Sequence, residues 1–99
     1  MSEPMVRRKV VVTNEQGLHA RPADMFVKTA RRFASVVMVC KNHERVDGKS
    51  ILSMLTLAAV EGTELWIEAT GPDAEATVEA LSELFAKNFS EDAPPSSTV

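Results

Sequence analysis

A histidine lies where a loop meets the predicted start of an amphipathic helix. It belongs to the run Gly17-Leu18-His19-Ala20-Arg21-Pro22. The first backbone N–H groups of a helix lack internal partners and carry partial positive charge, so such an end can bind an anion. Proline is tolerated in the first turn, because no intrahelical bond is lost there. The run therefore indicates either a histidine that carries a phosphoryl group or an unmodified N-cap histidine on the surface.

Each neighbour of His19 has a physical role if the histidine carries a phosphoryl group. Phosphoryl transfer depends mostly on positioning and on the stabilisation of negative charge. Arg21 can donate two hydrogen bonds to a phosphate, and the amides of Ala20 and Arg21 point from the helix start towards the group. Gly17 permits a tight turn before the histidine. This chemistry requires no metal and no other cofactor, so none is predicted.

A second candidate site is a serine at the predicted start of a short helix. Ser50 belongs to the run Val46-Asp47-Gly48-Lys49-Ser50-Ile51-Leu52. Its hydroxyl can cap the helix by accepting a hydrogen bond from a free amide. A phosphate at the same place would be tolerated by the free amides, and its charge would repel an acidic partner protein. Ser50 is therefore predicted to be an N-cap, and a phosphate on its hydroxyl would be compatible with that role.

The two runs, in this order and at this spacing, resemble the HPr family of histidine-containing phosphocarrier proteins from the bacterial sugar phosphotransferase system. Gly17–Pro22 matches the active-site signature of that family, and Val46–Leu52 looks like its regulatory serine motif. The stretch Leu57–Thr63 continues the likeness, which covers roughly residues 5–89. The resemblance implies a phosphocarrier with an open-faced β-sandwich fold.

The resemblance also implies the partners of such a carrier. Enzyme I would transfer a phosphoryl group from phosphoenolpyruvate to Nδ1 of His19, and IIA-type permease domains would accept the group. The likeness of the Ser50 run to the regulatory serine motif implies that Ser50 is a regulatory phosphosite, which an HPr kinase/phosphorylase would modify. The protein would be a substrate of other enzymes with little catalytic activity of its own, and we expect it to be a monomer.

The short helix after Ser50 is apolar on nearly all sides, so an exposed apolar patch is expected on it. In HPr-like proteins the equivalent patch beside the histidine docks into partner proteins, and a basic rim suits acidic partners. The residues predicted to form this docking surface are Ile51, Leu52 and Leu55, together with Lys28 and Arg31. The residues predicted to face inward are Met54, Leu57 and Ala58.

Composition argues against several other classes of protein. The chain has 99 residues and a formal net charge of −3, which is unusual for a nucleic-acid-binding protein. No apolar run is long enough to span a membrane and no signal-peptide core is visible, so a cytoplasmic protein without membrane contact is expected. Cys40 is the single cysteine, so neither a disulfide nor a zinc cluster is predicted. We expect Cys40 to be buried in a strand and His43 to be exposed in a turn.

Periodicity predicts the elements that position these residues. In chain order they are a strand over 6–13, a helix over 20–33, strands over 35–41 and 44–46, a helix from 50 to about 59, a strand over 64–70 and a last helix with Asp73 as candidate cap. This β-α-β-β-α-β-α order predicts an α+β fold, with a four-stranded mixed or antiparallel sheet that carries three helices on one face. Residues 1–89 are assigned to one HPr-like domain and residues 90–99 to a disordered polar tail.

Two functions from different classes are compatible with these features. The first is a phosphocarrier that works through His19. The second is a regulatory binding module, of the nitrogen- or carbon-regulation type, that is controlled by phosphorylation of Ser50. An intact Gly17–Pro22 motif favours the carrier, because a pure effector has no need of the histidine. An independent enzyme is not supported, since the sequence has no paired acid–base constellation and no cofactor loop.

Overall fold

The computed structural model describes residues 3–90, so residues 91–99 of the predicted tail lie outside the described part. Within residues 3–90 the elements follow the predicted order. They are β1 (Met5–Val11), α1 (Ala20–Ala30), β2 (Val36–Lys41), β3 (Glu44–Asp47), α2 (Ile51–Thr56), β4 (Glu64–Thr70) and α3 (Ala74–Ala86). The elements β1, α1 and α2 each end slightly earlier than predicted.

The four strands form one sheet in the order β1-β4-β2-β3. Every neighbouring pair is antiparallel, so of the two sheet types that were predicted the antiparallel one is correct. The last of these four strands, β4, lies in the interior of the sheet between β1 and β2. A two-residue turn joins β2 to β3, and Asn42 in it adopts the left-handed conformation (φ 54°) that tight hairpins need. His43, in the same turn, is exposed as predicted.

The core lies between one face of the sheet and the three helices. Alternate strand residues point into it, and the buried ones include Val10, Val37, Val39, Leu65 and Ile67. The buried helix residues include Ala23, Phe26, Val27, Met54, Val78, Leu81 and Phe85. Phe26 of α1 and Phe85 of α3 meet edge to face, with ring centroids 6.1 Å apart. This packing fixes α1, whose first turn follows His19, against α3.

The opposite face of the sheet carries a cluster of charged side chains. Glu68 of β4 is only 9% exposed, and its carboxylate accepts hydrogen bonds from Arg7 Nε (2.9 Å) and Arg45 Nη2 (3.1 Å). Burial by itself raises the pKa of the Glu68 carboxyl, but the hydrogen bonds and charges of the two arginines outweigh it and leave the pKa below its ordinary value. Arg7 also lies over the ring of Trp66, 4.2 Å from its centroid. The cluster joins β1, β4 and β3.

Cys40 lies beside this cluster and not in the core. It is only half-buried, because side chains alternate along β2 and its neighbour Val39 is the one that points inward. Burial first, and then the charge of Glu68, raises the pKa of the Cys40 thiol. The predicted strand is correct and the predicted full burial is wrong. A thiol with a raised pKa stays protonated at neutral pH and is a weak nucleophile.

The second helix ends earlier than its apolar pattern predicts. It stops at Thr56, and Ala58 adopts a left-handed conformation (φ 48°). This turn changes the direction of the chain, so Ala58 is exposed while Ala59 is 3% exposed. The prediction that Ala58 faces inward is wrong, because helical spacing does not continue past Thr56. Met54 and Leu57 are buried as predicted.

Asp73 precedes α3, but its side chain does not cap that helix. Its carboxylate instead accepts hydrogen bonds from the amides of Ala34 (2.8 Å) and Ser35 (2.9 Å), and from the hydroxyl of Ser35. The Ser35 hydroxyl bond, followed by the Ala34 amide bond, lowers the pKa of Asp73 to about 2. Gly71 allows this contact, since a Cβ atom there would lie 2.6 Å from the Ser35 Oγ. Asp73, which was predicted to cap α3, therefore links the start of that helix to the residues before β2.

Replacing Asp73 with asparagine is expected to change how stability depends on pH. Because the folded pKa is about 2 and the ordinary value is 3.8, the ionised carboxylate stabilises the fold above the ordinary pKa. That contribution is lost as the pH falls through the folded pKa. Thermal melts should show the wild type losing stability more steeply than Asp73→Asn between about pH 4 and pH 2. Equal slopes for the two proteins would contradict the link.

Candidate functional site

His19 is the N-cap residue of α1 and is exposed to solvent. Its backbone is extended (φ −87°, ψ −168°), and its carbonyl accepts the first helical hydrogen bond from the amide of Ala23 (3.1 Å). Its imidazole makes no capping hydrogen bond. The ring is therefore neither buried nor engaged in capping the helix, which leaves it accessible to another protein.

The loop before His19 is held by the segment that follows α2. The amide of Leu18 donates to the carbonyl of Ala59 (2.9 Å), and the carbonyl of Gly17 accepts bonds from the Asn14 side chain and the His19 amide. Gly17 is left-handed (φ 72°), and a Cβ atom there would overlap the Ala59 carbonyl oxygen. Both its conformation and its close contact thus require glycine. Asn14 belongs to the turn predicted before His19, but the bond from its side chain to the Gly17 carbonyl was not predicted.

Ala20 and Arg21 are exposed in the first turn of α1, directly after His19, while Pro22 is buried. The amides at this end of an 11-residue helix and the guanidinium of Arg21 are suited to an anion beside the imidazole. Among residues 3–90, no three His, Cys, Asp or Glu side chains converge as a metal site. No helix in that range has the length and apolar character needed to cross a membrane.

Ser50 is the N-cap residue of α2. Its Oγ accepts a hydrogen bond from the amide of Ser53 (3.2 Å), so the predicted cap is confirmed. The turn before it is closed by Asp47, whose carboxylate accepts from the Lys49 amide (2.9 Å) and whose carbonyl accepts from the Ser50 amide (3.2 Å). Gly48 is buried in this turn, where a Cβ atom would crowd the core. Modification of Ser50 stays a prediction.

Replacing Ser50 with alanine is expected to lower the free energy of unfolding by about 1 kcal/mol, because one helix amide loses its acceptor. Ser53→Ala is the matched control, since it makes the same chemical change inside the same helix and should have little effect. Urea denaturation of the two variants measures the difference. Equal losses would mean that the Ser50 hydroxyl does not act as the cap.

Apolar side chains on the outer side of α2 are exposed, as predicted for a docking surface. Leu52 is 77% exposed, and Ile51 and Leu55 are each 36% exposed. Val60 (65% exposed) extends this set towards the loop of His19, because its Cα lies against Gly17. We call these four residues the apolar patch. Val60 was missed, since a single valine in a predicted loop has no periodicity.

The two predicted basic docking residues are exposed, Lys28 in the last turn of α1 and Arg31 as its C-cap residue. Lys28 forms an ion pair with Asp24 one turn earlier (3.1 Å). Such a surface pair is weak, so the ammonium stays available to a partner. His19 precedes the first residue of α1, which rises about 15 Å over its length. Lys28 and Arg31 therefore extend the site along α1 and away from the histidine.

Arg31 joins the end of α1 to the Ser50 segment. Its Nε donates to the carbonyl of Lys49 (3.1 Å), and Lys49 Nζ donates to the carbonyl of Phe33 (2.8 Å). Each bond joins the end of α1 to the segment before Ser50, and each segment supplies one donor and one acceptor. Sequence analysis missed this link, because the partners are far apart in the chain and neither bond has a local pattern. The fold thus brings Arg31 next to Ser50, and the segment after α2 next to His19.

Comparison with the sequences of known proteins places this chain in a family. A family profile described as "PTS HPr component phosphorylation site" matches residues 6–87. The chain is 40% identical to phosphocarrier protein HPr of Neisseria meningitidis over 87 residues, which are 88% of this chain and 98% of that one. It is 42% identical to the HPr-like protein Crh of Bacillus subtilis over 78 residues, 79% of this chain and 92% of Crh.

Solved structures agree with the sequence comparison. The HPr of Bacillus anthracis superposes with a TM-score of 0.78 at 38% identity, over 82% of this chain and 96% of that one. An HPr dimer from Thermoanaerobacter tengcongensis gives a TM-score of 0.71 at 39% identity, over 81% and 92% of the two chains. The matched region contains both the His19 loop and the Ser50 segment. The chain therefore belongs to the HPr family of phosphocarrier proteins of the phosphotransferase system.

Proposed function

We propose that this protein accepts a phosphoryl group on His19 from phosphoenolpyruvate through enzyme I, and passes it to IIA-type permease domains in the cytoplasm. The observation that carries the proposal is the exposed imidazole at the start of α1, which makes no capping hydrogen bond. Membership of the HPr family supports the same role. The protein itself would be a substrate and not a catalyst.

In the proposed step, the lone pair of His19 Nδ1 attacks the phosphorus held by enzyme I. The nitrogen–phosphorus bond forms while the bond to the donor group breaks, and the electron pair of that bond stays with the donor. The guanidinium of Arg21 and the amides of Ala20 and Arg21 would bind the phosphoryl oxygens and offset their charge. Transfer to a IIA domain reverses these roles. The apolar patch, with Lys28 and Arg31, would dock both partners in turn.

Incubation with enzyme I of the same organism and phosphoenolpyruvate tests this proposal. Intact mass and phosphorus NMR should show one acid-labile phosphate per chain, bound to a histidine Nδ1. Omission of phosphoenolpyruvate is the control and should leave the mass unchanged. Failure to label this protein, when enzyme I demonstrably phosphorylates itself, would contradict the carrier function.

We further propose that Ser50 is a regulatory site for an HPr kinase/phosphorylase. A phosphate adds about −1.5 to −2 charges at neutral pH beside the apolar patch, and this charge would repel an acidic partner. Ser50→Asp adds negative charge while it keeps a cap, and Ser50→Asn is its neutral match. Transfer from enzyme I should start about fivefold more slowly with the aspartate variant than with the asparagine variant. Equal initial rates would argue against control by charge at Ser50.

A second candidate function is that of a regulatory binding module controlled through Ser50, with little transfer through His19. The 42% identity to the HPr-like protein Crh favours this alternative. The labelling experiment separates the two functions, because an effector of this kind would take up phosphate from its kinase at Ser50 and little from enzyme I. Rapid labelling of His19 would support the carrier.

We infer that a monomer is the active unit, because one chain supplies every residue of the proposed site. The dimer described for the Thermoanaerobacter tengcongensis protein makes assembly a property to be measured. Light scattering at assay concentration is expected to give a mass close to 10.8 kDa. A mass of twice that value would overturn the inference.

A further inference from the structure

We propose that Arg31 is the intramolecular binding partner of a phosphate on Ser50, an inference that rests on the proposed regulatory role of that serine. Arg31 Nε donates to the carbonyl of Lys49 at 3.1 Å. That carbonyl belongs to the peptide bond with Ser50, so the guanidinium lies next to the residue to be modified. A guanidinium has five donors, so it can hold one bond through Nε and offer its terminal nitrogens to a phosphate.

The charges around Ser50 favour such a partner. Asp47 closes the turn before the serine, with its carboxylate on the Lys49 amide (2.9 Å), so a phosphate on Ser50 would stand close to a second negative group. Lys49 Nζ donates to the carbonyl of Phe33 (2.8 Å), so its side chain is directed towards the segment after α1. Arg31, whose Nε bonds to the carbonyl next to Ser50, is thus a neighbouring cation that can offset the phosphate through its terminal nitrogens.

Arg45 and Lys28, which are basic side chains on elements near Ser50, contact groups outside the Ser50 segment. Helix α2, over Ile51–Thr56, contains no charged residue. On β3, Arg45 bonds to Glu68 on the face of the sheet that lacks helices (3.1 Å). On α1, Lys28 is one turn from Arg31 and pairs with Asp24 (3.1 Å). The geometry therefore selects Arg31 from among the nearby basic side chains.

This pairing would give the modification a second effect. Arg31 is a predicted docking residue on the exposed side of α1. A phosphate on Ser50 would add negative charge and would also neutralise one cation of the docking surface. Both changes oppose binding of an acidic partner, so Arg31 would increase the inhibition caused by modification of Ser50.

The test is a phosphorus NMR titration of protein that carries phosphoserine at position 50, introduced by genetic code expansion. Pairing favours the dianion, so the titration midpoint of the phosphate should lie about half a pH unit lower in the wild type than in Arg31→Ala. Arg32→Ala is the matched control, because it removes the neighbouring arginine. Arg32 borders a different groove, lined by Glu83 of α3 and by Lys87, the C-cap residue of that helix. Its midpoint should equal that of the wild type.

The difference should shrink in about 1 M salt, as expected for a surface ion pair. The same midpoint in all three proteins would overturn the proposal. A midpoint raised equally by Arg31→Ala and Arg32→Ala would also overturn it, because it would indicate the general field of α1. The titration uses neither enzyme I nor transfer to His19, so its failure is distinguishable from failure of the carrier function.

Discussion

Replacing His19 with alanine is expected to lower the phosphate taken up from enzyme I from about one per chain to none, because the nucleophilic nitrogen is removed and no nearby group replaces it. The fold should be retained, since the imidazole is exposed and makes no capping hydrogen bond. Circular dichroism and the melting temperature check the fold, and intact mass checks the phosphate. Uptake equal to that of the wild type would remove His19 as the site.

His43→Ala is the control for that experiment. It deletes the same side chain from an exposed position, in the turn between β2 and β3. Because His43 lies in a turn and not at a helix N-terminus, and because Arg45, two residues after it, bonds to Glu68 (3.1 Å), it should not take up phosphate. Full uptake by His43→Ala, together with none by His19→Ala, assigns the phosphate to one histidine. The opposite pattern would place the site in the turn.

The second large effect is expected for Gly17→Ala, which should lower the free energy of unfolding by about 3 kcal/mol. One part of this cost is the left-handed backbone (φ 72°), which an alanine adopts with strain. The other part is overlap of the new Cβ with the carbonyl oxygen of Ala59. That carbonyl cannot move freely, since it accepts the bond from Leu18 (2.9 Å). The melting temperature should fall by more than about 10 °C.

Gly62→Ala separates the two parts of that cost. Gly62 is also left-handed (φ 91°), but a Cβ atom there would meet nothing within 4 Å. Its replacement should therefore cost only the backbone strain, about 1 kcal/mol. Equal losses for the two variants would show that the contact between Gly17 and Ala59 relaxes without cost. Gly17→Ala should also slow phosphoryl transfer, because the Gly17 carbonyl positions the His19 amide (3.0 Å).

Much of this fold follows from patterns within a few residues of each other. The alternation over Glu64–Thr70 predicts β4 with the bounds that the structure has. The spacing of Ala23, Phe26 and Ala30 predicts the buried side of α1. The N-cap role of Ser50 also follows from a local rule, because its side chain bonds within the first turn of its own helix. Such features depend on short segments, so a single sequence is sufficient to predict them.

Contacts between distant segments could not be predicted in this way. Asp73 has the sequence of a cap, yet its carboxylate binds Ala34 and Ser35 because the sheet order brings β2 beside the start of α3. Ala58 fits the apolar pattern of α2, yet it turns outward after the helix ends. For Asp73 the deciding partners lie elsewhere in the chain. For Ala58 the deciding factor is where α2 ends, which depends on packing.

The same distinction applies to the candidate site. The residue types at His19, Arg21 and Ser50 predict the chemistry proposed for them, because the local sequence alone places them at helix starts. The support of the His19 loop by Ala59 and the approach of Arg31 to Lys49 belong to the tertiary structure. These contacts arise only when α1 and α2 pack together on the sheet, because no local hydrogen-bonding rule connects residues so far apart in sequence.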